Sequence, residues 1–425
     1  MPHCSHFTML KRAMFLCGQL RSRVFAVEVD LRTEPLYFSL STSPQILSHR
    51  DYPQLFGEDG KLYSLHVHCD DRIQKARAHA EIKHGLSEKL ARDCDVFEAS
   101  SYVPDVKNSV DKGFFIRDRS TTARSEEILK KYHQNKSICV VSYKREGQYC
   151  WQELWSPVNQ VERVERHYVT PAAAPEFHPS TLNIKNSDVY YCMDEAYKVL
   201  KECTDIIPES KEVLQLVDEQ VETSRGDGFP VIVIEGLDAT GKTTLTEALR
   251  ESLNATLLKS PPQCLAPFRQ RFDSEPPLIR RAFYALGNYI TAAHIGKESL
   301  RTPVIVDRYW HSTAAYAIAT AVSGRVENLP RPYSELYQWP EDLLQPDLVL
   351  LLTVNPEERL RRLKDRGQEK TIEEIELEVN QLFRLKVEEA YKRIQNPACI
   401  IVDASPSPQE VLQQVQFLIR NNCHL

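Results

Sequence analysis

The sequence predicts an α/β domain built on a five-stranded parallel sheet and preceded by a separate α+β domain. Three observations predict this fold. Strands and helices alternate after Pro230, a glycine-rich pattern follows the first of these strands, and a proline-rich stretch at residues 170–180 separates two regions of different pattern. At roughly 150 residues per domain, 425 residues suffice for two domains.

Composition narrows the class of protein. Hydrophobic residues make up 42% of the chain and charged residues 26%, which excludes wholesale disorder. The net charge of −6 argues against a protein that coats nucleic acid, so we expect no nucleic-acid partner. The longest apolar run, residues 348–354, is far shorter than the ~18 residues of a membrane-spanning helix, and we expect no membrane span. Eleven cysteines without a CxxC pair are typical of reduced thiols in an intracellular protein.

Residues 1–22 differ in character from the rest of the chain. No acidic residue precedes Glu28, whereas basic and apolar residues are mixed through the segment. Such a basic, potentially amphipathic start resembles a mitochondrial presequence, which predicts a mitochondrial protein. A disordered or wrongly started amino terminus is the alternative interpretation.

Residues 23–169 form the predicted α+β domain. Runs of β-forming residues predict strands at 23–30, 36–41, 62–69, 113–118, 137–143 and 148–155, and apolar spacing predicts a helix at 71–94. Its role stays open between regulation, partner binding and a scaffold. His66, His68 and Cys69 raise the question of a metal site, but an alternating strand with outward polar residues gives the same HVH pattern.

The remaining residues divide into a connecting part and a second domain. Residues 170–228 are predicted as a linker with helices at 188–203 and 209–222, and residues 229–425 as the second domain. Its strands are predicted at 231–234, 256–259, 304–307, 348–354 and 399–403. Its helices are predicted at 241–253, 278–300, 310–322, 356–366, 372–394 and 408–419. Continuous apolar runs such as LVLLLTV suit strands that are covered on both faces.

The first strand of this domain leads into a phosphate-binding loop. GLDATGKT at 236–243 matches the pattern GxxxxGK[ST] between a strand and a helix, the context that the motif requires. Backbone N–H groups and the helix amino terminus would surround the phosphates of ATP, Lys242 would reach the β- and γ-phosphates, and the Thr243 hydroxyl would hold Mg²⁺. The predicted ATP-binding residues here are Gly236, Leu237, Asp238, Ala239, Thr240, Gly241, Lys242, Thr243 and Thr244.

Two further elements carry charged groups that suit phosphate chemistry. Asp307 and Arg308 end a predicted strand, where the carboxylate would orient Mg²⁺ and the guanidinium would clamp a phosphate; a helix cap or surface ion pair is the alternative. Arg359, Arg362 and Arg366 fall on one face of a predicted helix. They form either a solvated basic face or a lid that closes over the transferring phosphate.

These residues resemble nucleoside monophosphate kinases of the thymidylate-kinase family. The resemblance rests on EGLDATGKTT at 235–244, on DRYWHSTAAYA at 307–317 and on the alternation of strands and helices, and it covers residues 229–422. It implies a P-loop kinase whose parallel sheet has the strand order 2-3-1-4-5, with a nucleoside monophosphate site, a mobile lid and a homodimer through the kinase domain. The implied reaction is ATP-dependent phosphorylation of UMP, CMP and their deoxy forms, of which dUMP and dCMP suit a mitochondrial setting best.

The resemblance also implies roles for single residues. Asp238 would lie near the acceptor sugar, and Arg308, with Tyr309 beside it, would bind the acceptor phosphate. Phe283 would stack on the pyrimidine, although its helix position also suits the core. Further acceptor contacts are expected from Arg269 and Arg271, and the donor adenine is expected at the loop of Ser405, with Arg359 on the lid side.

The sequence departs from the family pattern at two positions. Ala239 stands where family members without a lid arginine place one in the P-loop, so we expect the catalytic arginine to be Arg366 or Arg362. Gly287 stands where a base-reading arginine is expected, which favours a pocket for uracil and cytosine over thymine.

Three alternative functions have discriminating features. A GTP-driven switch would need an NKxD motif and a separate DxxG motif, and the sequence has neither. A P-loop kinase for dTMP or another small acceptor would differ in the acceptor pocket. A nucleotide-binding regulatory protein would be expected to lose Lys242, Thr243 or Asp307, which are all present.

Overall fold

The structure is a computed structural model that describes residues 22–47, 52–56, 60–90, 94–120, 124–135, 137–155, 166–221, 228–365, 377 and 379–423. All but one residue of the predicted presequence, and Arg366 of the predicted lid, lie outside these ranges. The chain divides into two compact units. The first runs to Asn183 and includes Ser323–Arg325, and the second comprises Ile184–Val322 and Val326–Leu425.

The first unit is a closed antiparallel barrel of eight strands. They are β1 (Val24–Glu28), β2 (Leu36–Ser41), β3 (Lys61–Val67), β4 (Cys94–Tyr102), β5 (Asp111–Asp118), β6 (Ile138–Glu146), β7 (Tyr149–Leu154) and β8 (His167–Pro171). Their order is β1-β2-β8-β7-β6-β3-β5-β4, and β4 pairs with β1. β4 and β8 were not predicted, because the CDVFEASSY segment of β4 buries its residues irregularly and β8 runs into the proline-rich stretch.

Aromatic residues fill the interior of this unit. Phe25 and Phe38 stack with their ring centroids 4.9 Å apart. Phe56, from the short helix α1 (Pro53–Phe56), packs edge-on against Phe38 and Phe115. Two longer helices, α2 (Arg72–Lys89) and α3 (Arg124–His133), complete the unit. Among the described residues, no group of three or more His, Cys, Asp or Glu side chains is placed to hold a metal ion.

The second unit contains a five-stranded parallel sheet. Its strands are β9 (Val231–Gly236), β10 (Thr256–Lys259), β11 (Val304–Asp307), β12 (Leu348–Thr353) and β13 (Ile400–Asp403). The order is β10-β11-β9-β12-β13, which is 2-3-1-4-5 in chain order. Lys259 pairs with Asp307, and Leu352 with Gly236, so the carboxyl ends of the strands meet at one edge. This edge is where parallel α/β sheets bind ligands.

Helices cover both faces of this sheet. The described helices of this unit are α4 (Met193–Glu202), α5 (Glu209–Gln220), α6 (Lys242–Leu253), α7 (Arg269–Asp273), α8 (Pro277–Glu298), α9 (Trp310–Ala321), α10 (Pro356–Asp365), α11 (Gln381–Arg393) and α12 (Pro408–Asn422). Successive strand residues enter different cores: Val231 and Val233 belong to one buried cluster, and Ile232 and Ile234 to another. This explains why β9 is apolar at every position before Glu235.

The boundary between the units differs from the predicted linker. Residues 170–183 belong to the first unit, and the segment from Ile184 onwards to the second. Helices α4 and α5 pack against α8, with Tyr190 Oη donating to the carbonyl of Leu278 at 2.8 Å and Gln220 hydrogen-bonding to His294 at 3.0 Å. In the described part of the chain, no helix is long and apolar enough to cross a membrane.

Candidate active site

The phosphate-binding loop has the strained backbone that its motif requires. Gly236 and Gly241 have positive φ angles of 144° and 90°, and Ala239 has a φ of 62°. A Cβ atom on Gly236 would lie 2.7 Å from the carbonyl oxygen of Leu352, so only glycine fits there. Helix α6 begins directly after Gly241, which places its free N–H groups at the mouth of the loop.

Lys242 is folded back onto this loop. Its Nζ donates to the carbonyl oxygens of Gly236 at 3.0 Å and Leu237 at 2.8 Å. Burial of the ammonium group, assisted by the charge of Arg308, lowers the pKa of Lys242 to about 7. A phosphate in the loop would add negative charge beside this buried group and favour its protonated form.

The turn after β11 joins the two charged residues predicted there to the P-loop. Arg308 has a φ of 67°, and its N–H donates to the carbonyl of Ile234 at 3.0 Å. Its Nη2 donates to Oδ1 of Asp238 at 2.8 Å, and its Nη1 to Ser312 Oγ at 3.3 Å. The Oδ1 atom of Asp307 is buried and has no hydrogen-bond partner among the described residues.

Glu235 is a site residue that the sequence analysis missed. Its carboxylate is completely buried and accepts hydrogen bonds from the N–H groups of Tyr309 at 2.8 Å and Ser312 at 3.2 Å. The hydroxyl groups of Ser312 and Tyr391 donate to it as well. Burial raises the pKa of Glu235. The carboxylate caps the first turn of α9 and so fixes the turn that carries Arg308. In the sequence, Glu235 stands directly before Gly236 in EGLDATGKTT, a position that by itself indicates only the end of a strand.

A cavity of about 790 Å³ lies at this edge of the sheet. Its P-loop wall is formed by Asp238, Ala239, Gly241, Lys242, Thr243 and Thr244. Its other walls include Lys259, Ser260, Pro261, Arg269, Arg281, Tyr284, Asp307, Arg308, Tyr309, Ser312, Thr313, Tyr316 and Arg362. The lining is strongly cationic, which suits phosphorylated ligands.

Some of the predicted P-loop and acceptor residues have other placements. The backbone of Leu237 forms the loop, but its side chain is 5% exposed and joins a hydrophobic core. Thr240 bonds its own loop, through Oγ1 to the carbonyl of Leu237 at 2.8 Å. Tyr309 lines the cavity, yet its hydroxyl donates to the carbonyl of Leu344 at 3.1 Å.

The predicted base-stacking residue is part of the core. Phe283 is fully buried, and its ring stacks on Phe272 with the centroids 4.5 Å apart. Tyr284, the next residue, lines the cavity instead and donates to Asp273 at 2.7 Å. The stacking interpretation therefore gives way to the core interpretation, because no face of a fully buried ring is accessible to a base.

The two candidate arginines on α7 differ in location, and one of them lines the cavity. Arg269 lines the cavity, with its guanidinium 6.0 Å from the centroid of the Tyr284 ring. Arg271 forms ion pairs with Glu275 and, at 3.9 Å, with Glu209. The structure thus brings Arg269 to the site and holds Arg271 in ion pairs with the buried Glu275 and with Glu209.

The basic helix α10 directs two arginines inwards. Arg359 is 4% exposed and its Nε donates to the carbonyl of Asp238 at 3.2 Å. Arg362 lines the cavity and donates to Glu358 at 2.7 Å and to the carbonyl of Ala404 at 2.9 Å. These contacts exclude a wholly solvated face for the described part of the helix.

The Ser405 loop lies beside α10. Ser405 Oγ accepts a hydrogen bond from the N–H of Asn355 at 3.1 Å, and its own N–H donates to Asp403 at 2.9 Å. Ser405 therefore joins the loops that follow β12 and β13.

Comparisons with known proteins found a matching family and several relatives. The family model of thymidylate kinase matches residues 234–415. Mitochondrial UMP-CMP kinase 2 of Homo sapiens is 46% identical over 383 residues, which cover 87% of this chain and 85% of the human protein. A probable thymidylate kinase of Archaeoglobus fulgidus is 27% identical over 209 residues, 46% of this chain and 97% of that protein. The solved thymidylate kinase of Candida albicans has 22% identity, covers 46% of this chain and 92% of its own, and has a TM-score of 0.36.

The similarity to the human kinase extends beyond the P-loop unit. Its 383 aligned residues are more than the second unit holds, so the alignment also reaches into the first unit. This extent and the site geometry confirm the predicted enzyme class. The chain is a nucleoside monophosphate kinase and belongs to the thymidylate kinase family.

Proposed function

We propose that this enzyme transfers the γ-phosphoryl group of ATP, with Mg²⁺, to pyrimidine nucleoside monophosphates: dUMP, dCMP, UMP and CMP. The observation that carries the proposal is the single cavity lined by the P-loop, by the Arg308–Asp238 pair and by Arg269. We infer that the phosphates of two nucleotides would lie side by side in this cavity. Phosphoryl transfer depends mainly on this positioning and on charge neutralisation.

The donor side is the P-loop. The N–H groups at the start of α6 would bind the β- and γ-phosphates, and Lys242 would leave the carbonyls of Gly236 and Leu237 to contact them. In the transfer, the bond between the γ-phosphorus and the β-bridging oxygen breaks. A bond between the γ-phosphorus and an acceptor phosphate oxygen forms, which leaves ADP and a nucleoside diphosphate.

The residues present fit Mg²⁺. The buried Asp307 Oδ1 has no hydrogen-bond partner in the described chain, and Asp307 and Thr243 line the same cavity. A hard cation takes such carboxylate and hydroxyl oxygens together with water and phosphate oxygens. When bound, Mg²⁺ neutralises phosphate charge; Asp307 and Thr243 would orient it.

The acceptor side is formed by Arg308, Arg269 and Asp238. Arg308 would bind the acceptor phosphate in bidentate fashion, since its fork matches phosphate oxygens. Asp238 orients that guanidinium from the P-loop and would face the acceptor sugar. Arg269 supplies a second cation in the same cavity.

The lid side supplies the arginine that the P-loop lacks. Arg362 lines the cavity, and a Cβ on Gly241 would lie 3.6 Å from its Nη1. We assign to Arg362, and to Arg366 in the remainder of the lid, the neutralisation of charge on the transferring phosphoryl group. Arg359 and Ser405 would support the adenine end of the donor site.

Pyrimidine preference, mitochondrial location and a homodimer are parts of the same proposal. The human relative is named a mitochondrial UMP-CMP kinase, and the basic start of this chain supports the same compartment. The family resemblance supports a homodimer through the second unit. The mass of the full chain in solution tests the dimer, and fractionation of cells tests the compartment.

A coupled ADP-release assay tests the reaction. The acceptors are UMP, CMP, dUMP, dCMP, dTMP, AMP and GMP, each with ATP in the presence of Mg²⁺ or of a chelator. We expect turnover with pyrimidine monophosphates that stops when the metal is removed. No turnover with any acceptor, while ATP still binds, would replace this proposal with a binding-only role, and turnover confined to AMP or GMP would refute the pyrimidine assignment.

A further inference from the structure

Tyr284 is a cavity residue that the reaction outlined above does not use. It lies on α8 and lines the cavity, and its hydroxyl donates to Oδ1 of Asp273 on α7 at 2.7 Å. Burial raises the pKa of Tyr284 to about 12, so the hydroxyl group keeps its proton and donates it to the carboxylate. The tyrosine therefore joins the wall of the cavity to the helix that carries Arg269.

Arg269 lies close to the same ring and also lines the cavity. Its guanidinium carbon is 6.0 Å from the centroid of the Tyr284 ring, at the limit of a cation–π contact. Arg271, two residues further on, is held by Glu275 and Glu209, whereas Arg269 forms no ion pair with the residues that the structure describes. The charge of Arg269 is therefore available to a phosphate group in the cavity.

Arg269 and Asp273 begin and end α7, four residues apart. Side chains at this spacing share one face of a helix, where an arginine and an aspartate attract each other as an intrahelical ion pair. Desolvation alone would lower the pKa of Arg269, but Tyr284 and the charge of Asp273 raise it, so the carboxylate acts on the guanidinium from nearby. The carboxylate is nevertheless bonded to Tyr284. Asp273 is thus a potential competitor for the arginine that we assign to the acceptor phosphate.

Resting on the proposed function, we propose that Tyr284 is a positioning residue whose hydroxyl holds the Asp273 carboxylate and so keeps Arg269 available to the acceptor phosphate. The ring of Tyr284 supports the guanidinium at the cavity wall. Because the phenol is neutral, it occupies the carboxylate without adding a charge to the cavity. Without the hydroxyl, Asp273 and Arg269 would pair along α7, and the phosphate would have to displace the carboxylate.

A second contact holds α7 against α8. Phe272 and Phe283, which directly precede Asp273 and Tyr284, are fully buried and stack with their ring centroids 4.5 Å apart. This aromatic pair belongs to the core and does not depend on the hydroxyl. Loss of the Tyr284 hydroxyl should therefore change the partner of Arg269 with little effect on how the two helices pack.

The test is a rescue experiment on the full chain, with CMP and UMP as acceptors. Y284F removes only the hydroxyl, and we expect kcat/KM for both acceptors to fall about fivefold, the effect of one hydrogen bond. KM for ATP should stay within about twofold. Adding D273N to Y284F removes the competing charge and should restore kcat/KM to within about twofold of the wild type. D273N alone should also stay within about twofold, because its side-chain oxygen still accepts from Tyr284.

The same helix offers a matched control. Tyr289 Oη donates to Oδ1 of Asp342 at 2.6 Å, and Tyr289 is not among the described residues that line the cavity. Y289F therefore removes the same kind of bond without reaching Arg269. It should leave kcat/KM for both acceptors within about twofold, with melting temperatures recorded for every variant.

A combination with R269M protects the test against a folding defect. R269M should lose about 10²-fold in kcat/KM on both acceptors, and adding Y284F to it should change this by less than about twofold, because the hydroxyl acts through Arg269. An unchanged kcat/KM in Y284F, or a loss that D273N does not reverse, overturns the role of Tyr284. An unchanged kcat/KM in R269M overturns the role of Arg269 and the inference, but leaves the reaction standing. A wild-type enzyme without turnover on any pyrimidine monophosphate overturns the proposed function, and the inference with it.

Discussion

Arg308 and Asp238 form an ion pair at 2.8 Å between the turn after β11 and the P-loop, with side chains that are 24% and 11% exposed. The pair joins the group that we assign to the acceptor phosphate to the loop that we assign to the donor. Because both residues border one cavity, we expect a displacement of either to alter the alignment of the two nucleotides that we propose to bind there.

Replacing Arg308 by lysine should impair use of the acceptor more than binding of ATP. R308K keeps one positive charge but loses the fork that reaches Asp238 and Ser312 together, so we expect kcat/KM for the acceptor to fall about 10²-fold, with KM for ATP nearly unchanged. Steady-state kinetics with each nucleotide varied in turn measure this. K297R, an exposed change in the last turn of α8, is the control. Equal loss for donor and acceptor would contradict the assignment.

Removal of the P-loop lysine should abolish chemistry with little effect on stability. Among the described residues, the Lys242 ammonium group bonds the carbonyl groups of Gly236 and Leu237 and forms no ion pair, so K242A should reduce turnover by about 10²-fold or more while the melting temperature stays nearly unchanged. K297A provides the comparison for loss of one lysine charge. A large drop in melting temperature with retained turnover would refute the role of Lys242.

The lowered pKa of Lys242 should make both the stability of the enzyme and its binding of ATP depend on pH. Its pKa of about 7 in the folded chain lies below the ordinary value of 10.5, so between these values the unfolded chain binds more protons. Lys242 should therefore make the ligand-free enzyme more stable as pH rises from 7 towards 10.5. Binding of ATP should raise this pKa, so that Lys242 takes up a proton when ATP binds near pH 8. Calorimetry in two buffers of different ionisation enthalpy measures the uptake, and K242M should lack it.

The buried carboxylate of Glu235 should contribute both stability and alignment. E235Q retains the shape but loses the charge that accepts hydrogen bonds from Tyr309, Ser312 and Tyr391, and bonds to charged groups contribute roughly 1.5–3 kcal/mol each. We expect the free energy of unfolding to fall by about 2 kcal/mol and kcat to fall as Arg308 loses its support. Urea unfolding and kinetics test this, with E247Q as the control, since the Glu247 side chain on α6 is 45% exposed. Unchanged kcat would limit Glu235 to a structural role.

Substitution of two adjacent aromatic residues of α8 should affect stability in one case and acceptor binding in the other. F283A removes a fully buried ring stacked on Phe272 and should cost about 3–5 kcal/mol of unfolding free energy, with acceptor KM preserved in the folded fraction. Y284A opens the cavity wall beside Arg269 and should raise acceptor KM instead. Denaturant unfolding and acceptor kinetics on both variants compare the two roles. An acceptor KM that rises only in F283A would restore the stacking interpretation.

Much of the second unit was predictable because its signals are local. The P-loop pattern lies between a strand and a helix, and the predicted strands at 231–234 and 304–307 agree with β9 and β11 within two residues. The orientation of single side chains was harder to predict from the sequence. Phe283 and Tyr284 are neighbours on one helix; Phe283 stacks on Phe272 in the core, and Tyr284 faces the cavity.

Residues that act through tertiary contacts left weaker signals. Arg281, which lines the cavity, stands beside Arg280 in the sequence, and one of the contacts that orient it is with Thr320, 39 residues later. The eight strands of the first unit close through the pairing of β1 with β4, a long-range contact that strand-like runs do not reveal. Its β4 segment lacks the alternation that identifies a half-buried strand.

Helices α4 and α5 belong to the kinase as its outer wall. They cover α8, most of whose residues are buried. Tyr190, just before α4, donates to the carbonyl of Leu278, and Gln220, the last residue of α5, bonds His294, so the segment is attached near both ends of α8. A chain shortened to begin at residue 229 would keep every motif of the family yet leave this face of α8 in water, where exposed apolar surface promotes aggregation. The smallest enzyme that folds alone should therefore begin at or before Ile184. Part of the segment that the sequence predicts to be a linker is thus indispensable to the second unit.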